Sequence, residues 1–210
     1  MNCFLVLLLL AGGALVGEVD RALSDGPGRH LWRDIPALDD AGNVQVVIEI
    51  PAGTAAKWEV DKGSGQLIWE MREGQPRVIQ YLPYPVNYGF IPSTFSDPET
   101  GGDGDPLDVL VLGEALPRGA LVSVRLIGVI EMMDSGESDD KLIAVHEETP
   151  FADLNDLLEL ETRFPGVLTI LTTWFNHYKG PGFIEILGVE GPERANAILK
   201  TGKMEFKAMR

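Results

Sequence analysis

The stretch GGDGDPLDVL, residues 101–110, places three carboxylates among glycines and a proline, directly ahead of an apolar strand. Residues i and i+2 of an extended segment share a face, so Asp103 and Asp105 are expected to point the same way. Pro106 bends the chain, and Asp108 is then free to turn back towards them. Carboxylates this close repel one another unless a cation neutralises them or one of them takes a proton. Oxygen-only ligands suit hard ions such as Mg²⁺ or Ca²⁺.

An alternative for this stretch is a surface turn rich in Asp, Gly and Pro. An EF-hand calcium loop does not fit, because its glycine at position six and glutamate at position twelve are absent. A second acidic group, residues 131–141, is either a solvated hairpin loop or the source of two further metal ligands, Asp134 and Asp139. Lys141 within that group suggests an anion held among cations.

Cationic and phenolic side chains elsewhere in the chain suit an anionic ligand. They are Lys57, Arg77, Lys179, Tyr84, Tyr88 and Tyr178. Ammonium, guanidinium and hydroxyl groups all donate hydrogen bonds to phosphate oxygens. Each of these residues taken singly has an ordinary structural explanation, so the prediction depends on the combination.

The composition of the chain narrows the class of protein. It has 210 residues, 45% of them apolar, which suits one globular domain with a substantial core. The net charge of -15 argues against a nucleic-acid binder. Cys3 is the single cysteine, so a cysteine-based zinc site is excluded. An acidic, non-enzymatic binder of divalent cations stays open as a second hypothesis.

The first residues of the chain predict a signal peptide over residues 1–17, because an apolar run is followed by small residues. A secreted or periplasmic protein with no stable membrane span after processing follows from that prediction. A cytoplasmic protein is the alternative if the leader does not function. Residues 18–43 then form a lead-in, and residues 44–210 form the main domain.

Apolar periodicity predicts many short strands followed by helices. The expected strands are 44–50, 57–60, 66–71, 78–82, 107–112, 120–132, 141–146 and 183–190. The expected helices are 151–164, 167–178 and 192–200. This order predicts an α+β domain with helices packed on a closed or nearly closed antiparallel β core.

The chain resembles the family I soluble inorganic pyrophosphatases. The most specific match is DGDPLDV at residues 103–109, with three aspartates around a proline. Supporting matches are VIEIP at 47–51, KWE at 57–59, YPVNYGF at 84–90, the loop at 134–141 and NHYK at 176–179. The resemblance implies a mainly β, α+β fold with a five-stranded OB-like antiparallel barrel and flanking helices.

The resemblance also implies a reaction and a site. The reaction is hydrolysis of inorganic pyrophosphate to two phosphates by a multi-metal, Mg²⁺-dependent mechanism with a metal-activated water, which Asp105 orients or deprotonates. The implied metal ligands are Asp103, Asp108, Asp134 and Asp139, with Glu49 and Glu59 contributing through water. The implied pyrophosphate contacts are Lys57, Arg77, Tyr88, Tyr178 and Lys179, with Lys141 and Tyr84 close by. Mn²⁺ or Zn²⁺ are possible substitutes for Mg²⁺, and family members form homo-oligomers.

Three features depart from the family pattern. Ser135 stands where the family often has a glutamate after Asp134, so one outer carboxylate is missing. Arg72 and Arg77 both lie where the family has its phosphate arginine, and Arg77 is preferred because it precedes an apolar strand. The leader is also unusual for this family.

Overall fold

The computed structural model describes residues 28–209, so the predicted signal peptide and the start of the lead-in lie outside the described residues. The strands are β1 (Val44–Ile50), β2 (Trp58–Val60), β3 (Leu67–Trp69), β4 (Met71–Arg72), β5 (Gln75–Pro76), β6 (Asn87–Phe90), β7 (Asp108–Leu112), β8 (Leu121–Asp134), β9 (Glu137–Ser138), β10 (Lys141–His146) and β11 (Ile184–Glu190). The α-helices are α1 (Leu157–Arg163), α2 (Val167–His177) and α3 (Pro192–Met209). Within residues 28–209, each helix is too short or too polar to cross a bilayer.

Five strands close into a barrel, which confirms the predicted architecture. They follow the order β1, β6, β7, β10 and β8, and β8 returns to pair with β1. The expectation that the barrel is antiparallel is wrong at one pairing, because β7 and β10 run parallel. Strand directions cannot alternate all the way round a ring with an odd number of strands, so at least one neighbouring pair runs parallel. β11 extends the sheet beyond β8.

The barrel strands bury both of their faces. Along β7, Val109 and Val111 belong to one apolar cluster, whereas Leu110 and Leu112 belong to another, because side chains alternate across a strand. The first cluster includes residues of α3, and the second includes residues of α1 and α2. Strands covered on both sides read as continuous apolar runs, which explains why β7 shows no polar alternation.

One barrel strand escaped prediction, and one predicted strand is absent. Residues 78–82 form no strand beyond an isolated bridge at Val78, and Tyr81 and Leu82 are exposed. The strand that enters the barrel is β6, whose glycine lowers its apparent strand propensity. A β-carbon at Gly89 would lie 2.0 Å from the carbonyl oxygen of Val47 in β1. Glycine therefore permits the close approach of two barrel strands.

The helices differ from the prediction at their ends. The first helix does not begin at residue 151, because Asp156 caps α1 by accepting a hydrogen bond from the amide of Glu159 at 2.8 Å. The last helix continues to Met209 instead of ending at residue 200. Gly202 does not end it, since that glycine is buried and a β-carbon there would lie 2.7 Å from Cδ1 of Leu107.

The described part of the lead-in packs onto the barrel. Leu31, Trp32 and Ile35 are buried in a cluster with residues of β1, β6 and α3. The indole Nε1 of Trp32 donates to the carbonyl oxygen of Thr94 at 2.7 Å, which supplies a partner for its buried polar atom.

Candidate active site

A cleft of about 460 Å³ is lined by side chains from β1, β2, β6, β7 and β8, and from the segments that join them. All but two of the expected site residues line it. They are Glu49, Lys57, Glu59, Arg77, Tyr88, Asp103, Asp105, Asp108, Asp134, Asp139, Tyr178 and Lys179. The cleft therefore brings together acidic residues and cationic residues that lie far apart along the chain.

Tyr84 and Lys141 are the two exceptions, and both are buried behind the cleft lining. Their relative exposures are 1% and 2%. The rings of Tyr84 and Tyr88 lie 5.3 Å apart, and Nζ of Lys141 lies 6.0 Å from the Tyr88 ring. Both residues therefore lie next to Tyr88, which itself lines the cleft.

The carboxylate loop, residues 101–106, is shaped by its glycines and by its own hydrogen bonds. Gly101 and Gly104 have φ angles of 97° and 78°, a left-handed conformation that favours glycine. The amide of Asp105 donates to Oδ1 of Asp103 at 3.0 Å, and the carbonyl oxygen of Asp105 accepts from the amide of Ser96 at 2.9 Å. These bonds orient the first two aspartates before any ligand arrives.

Asp103, Asp108 and Asp139 form a group that fits a divalent cation. One carboxylate oxygen of each lies within 4.8 Å of the others. Burial and the charge of Asp108 raise the pKa of Asp103 to about 7, and burial also raises the pKa of Asp139. Burial disfavours the charged form of both carboxylates, and a cation bound between them would favour it. An oxygen-only donor set of this kind suits a hard ion.

The ammonium of Lys141 neutralises part of the negative charge of these three aspartates. Its ammonium lies 2.7 Å from Oδ2 of Asp108 and forms a second ion pair with Asp139. The parallel pairing of β7 and β10 creates this contact, because Lys141 and Asp108 are register partners. Burial would lower the pKa of Lys141, but the two carboxylates outweigh it and raise that pKa well above its usual value.

Asp134 and Lys179 form an ion pair in the cleft, joining the end of β8 to the residue after Tyr178. Ser135 turns the β8–β9 hairpin with a φ of 55°, and its hydroxyl donates to Oδ1 of Asp134 at 3.0 Å. Glu137 in β9 also lines the cleft. A carboxylate therefore does lie near this rim, two residues beyond the serine.

The structure distinguishes the two candidate arginines. Arg77 lines the cleft, whereas Arg72 in β4 is exposed and does not. Nη1 of Arg77 donates to both carboxylate oxygens of Glu70 at 2.8 and 2.7 Å. The β4–β5 hairpin lies between Glu70 and Arg77, so the chain folds back to bring the two together.

Glu49, which is buried, and Lys57, whose side chain is 15% exposed, both line the cleft. Burial raises the pKa of Glu49 to about 8, and its Oε1 accepts from the amide of Val60 at 2.7 Å. Burial would lower the pKa of Lys57, but the charges of Glu49 and Asp108 outweigh it and raise that pKa. Lys57 therefore stays cationic although it is enclosed.

An aromatic wall completes the cleft. The ring of Tyr178 stacks on Trp174, with centroids 4.6 Å apart and planes 9° apart. Burial raises the pKa of Tyr178 and also that of Tyr88, so both hydroxyls remain donors. The ammonium of Lys179 lies 5.7 Å from the centroid of the Tyr178 ring.

Sequence reasoning missed three charged residues that line the cleft: Lys62, Glu70 and Glu137. Lys62 lies in the hairpin signal DKGSG, and its role depends on a contact with a loop far along the chain. Glu70 is signalled only by its partner Arg77. Glu137 lies two residues after the noted Ser135, where a search for a replacement carboxylate would have found it.

Comparison with known proteins gives one family. The profile of the inorganic pyrophosphatase family matches residues 46–207, a range that holds every cleft residue named above. Soluble inorganic pyrophosphatase 2 of Chlamydomonas reinhardtii is 38% identical over 181 residues, which cover 83% of this chain and 87% of that protein. The chloroplastic soluble inorganic pyrophosphatase 6 of Arabidopsis thaliana is 34% identical over 173 residues, 75% of this chain. The chain spans 57% of the length of the Arabidopsis protein.

A solved structure shows the same architecture. The type I inorganic pyrophosphatase of Toxoplasma gondii superposes with a TM-score of 0.80 at 28% sequence identity. The superposition covers 86% of this chain and 88% of the other.

Proposed function

The chain belongs to the inorganic pyrophosphatase family, and from this we propose that it hydrolyses inorganic pyrophosphate to two phosphates. The observation that carries the proposal is the composition of one cleft. The carboxylates of Asp103, Asp108 and Asp139 are grouped within it, and Lys57 and Arg77 are also in its lining. Pyrophosphate, in which both phosphate groups are anionic, matches this set of charges when divalent cations bind with it: the carboxylates suit the cations, and the lysine and arginine suit the phosphates.

We propose Mg²⁺ as the resident ion. Asp103, Asp108 and Asp139 would hold it, with Asp134 serving a further ion and Glu49 and Glu59 contributing through water. Divalent ions in such a site neutralise phosphate charge and make a water molecule more acidic. The oxygen-only donor set favours Mg²⁺ over softer metals, and Mn²⁺ and Zn²⁺ are the substitutes to compare.

Asp105 is the proposed base. Its side chain is 51% exposed in the cleft, and its backbone is fixed by the hydrogen bonds of the carboxylate loop. It accepts a hydrogen bond from the attacking water and takes its proton. Its neighbour Asp103 is held in place by the Asp105 amide, so metal ligand and base are positioned together.

The cationic residues hold the phosphate that leaves. Lys57, Arg77 and Lys179 supply positive charge, and the hydroxyls of Tyr88 and Tyr178 supply hydrogen bonds. Neutralising the far phosphate makes it a better leaving group. The buried Lys141 holds Asp108 and Asp139 in the geometry that receives a cation.

Phosphate release from pyrophosphate tests the proposal. We expect turnover with Mg²⁺ and none after chelation by EDTA. Asp105→Asn is expected to keep the fold and lose about 10²- to 10⁴-fold in kcat, the usual contribution of a general base. Asp40→Asn, which alters an exposed aspartate of the lead-in, is the matched control.

Two results would contradict the proposal. Near-normal turnover by Asp105→Asn would remove that residue from its role. Binding of Mg²⁺, Mn²⁺ or Zn²⁺ by a folded protein that releases no phosphate would instead make the chain a non-enzymatic binder of divalent cations.

We also propose a homo-oligomer and an exported protein. Ile170, Phe183 and Leu187 are each more than half exposed, which supports a contact with a second copy. Light scattering after size exclusion gives the oligomeric state. Export depends on residues 1–17, and the mass of the purified mature protein shows whether they are removed.

A further inference from the structure

Lys62 places a cation directly on the proposed base. Its Nζ lies 2.5 Å from Oδ1 of Asp105 and donates to the carbonyl oxygen of Gly104 at 3.0 Å. Both contacts join the turn after β2 to the carboxylate loop. Lys62 is therefore the charge partner of Asp105 in the absence of divalent ions.

Hydrogen bonds hold the turn that carries Lys62, but the side chain of this lysine is not enclosed. The amide and hydroxyl of Ser64 both donate to Oδ1 of Asp61, at 2.7 and 2.6 Å. The amide of Gly65 donates to the carbonyl oxygen of Asp61 at 2.7 Å. The side chain of Lys62 is 49% exposed. The backbone of the turn therefore places Lys62 beside Asp105, and the half-exposed side chain can also extend into solvent.

Lys141 provides the contrast. Its side chain is 2% exposed and has two carboxylate partners, so it cannot reach solvent without breaking both ion pairs. Lys62 and Asp105 are each about half exposed. Exposed ion pairs are weak because water competes for both charges. Lys141 is therefore enclosed with its two carboxylates, whereas the pair of Lys62 and Asp105 is open to solvent.

We propose that Lys62 is a displaceable counter-ion of Asp105, which occupies the carboxylate in the metal-free protein and leaves when divalent ions bind. The proposal rests on the proposed function, because it takes Asp105 and the divalent ions as parts of one site. Ammonium and divalent ion compete for the same negative charge. Lys62 therefore weakens the binding of the first ions, and it keeps Asp105 oriented until they arrive. It is a positioning residue.

Calorimetric titration of Mg²⁺ into metal-stripped protein, without pyrophosphate, tests this. Lys62→Gln is expected to lower the Kd for Mg²⁺ by about three- to tenfold, since no ammonium then neutralises the Asp105 carboxylate beside the ion. Lys62→Arg keeps the charge and is expected to bind Mg²⁺ like the wild type. Lys200→Gln removes the same charge from an exposed position on α3 and is expected to change the Kd by less than about twofold, because distant surface charges are screened.

A double-mutant cycle locates the effect. In an Asp105→Asn background, Lys62→Gln is expected to lower the Mg²⁺ Kd by a smaller factor than in the wild type, because Lys62 no longer has the Asp105 carboxylate to occupy and its half-exposed ammonium can turn into solvent. An unchanged Kd in the single variant, or equal tightening in both backgrounds, would overturn the proposal. A raised KM for pyrophosphate with an unchanged Mg²⁺ Kd would make Lys62 a substrate ligand instead. Because ion binding is measured without substrate, a protein that binds Mg²⁺ but releases no phosphate refutes the hydrolytic function alone.

Discussion

Replacing Lys141 with methionine removes a buried cation and keeps an unbranched, slightly shorter side chain. The lysine is 2% exposed, and its partners Asp108 and Asp139 are 16% and 14% exposed. Removing one partner of a buried ion pair costs about 3–5 kcal/mol because the remaining charge stays buried. Here the two carboxylates keep some contact with water and can take protons, so we expect about 3 kcal/mol. A domain of this size then melts roughly 6–12 °C lower.

The measurement is chemical denaturation of the Lys141→Met variant at pH 7.5, with EDTA and with saturating Mg²⁺. The decrease in the free energy of unfolding is expected to be largest in EDTA and smaller with Mg²⁺, because a divalent ion neutralises the two carboxylates. Lys200→Met, an exposed substitution of the same kind on α3, is the control. A loss below about 1 kcal/mol in EDTA, the size expected of a surface ion pair, would refute the reasoning. So would a loss that Mg²⁺ does not reduce.

Burial raises the pKa of Asp103 from 3.8 to about 7, so the folded protein binds more protons than the unfolded chain between those values; stability in EDTA is therefore expected to fall as the pH rises from 5.5 to 7.5. Urea unfolding at both pH values measures this, and Asp103→Asn is expected to show a smaller difference. Asp108→Ala removes one of three clustered carboxylates, and the Mg²⁺ activation curve is expected to shift to higher concentration by about tenfold or more; an unchanged curve would argue against ligation. Gly89→Ala forces a β-carbon against Val47 and is expected to cost about 3 kcal/mol in denaturation experiments. Gly188→Ala, at an open position in β11, is its control and is expected to cost little.

The local chemistry of the site was predictable because it lies within short segments. The spacing of Asp103, Asp105 and Asp108 places three carboxylates in one loop whatever the rest of the chain does. The apolar runs of β1 and β7 likewise identify strands from their residues alone. Strand β6 escaped prediction because the reason for Gly89 is a clash with another strand, and propensity carries no information about that.

The partners of the aspartates were not predictable in the same way. Lys141 meets Asp108 only because an odd-numbered ring requires one parallel pair and the register places these two residues opposite each other. Lys62 meets Asp105 only because the turn after β2 packs beside the carboxylate loop. The preference for Arg77 over Arg72 did come from the sequence, and the structure agrees with it by placing Arg77 in the cleft lining and leaving Arg72 exposed.

By itself, the sequence determined the acidic loop, the order of the charged residues and the family to which they point, since these follow from residue type and spacing. Tertiary structure alone decided which lysine neutralises which aspartate, and which of those ion pairs is buried and which is open to solvent. The physical reason is that a contact between distant segments depends on strand register and burial, which arise only when the barrel closes.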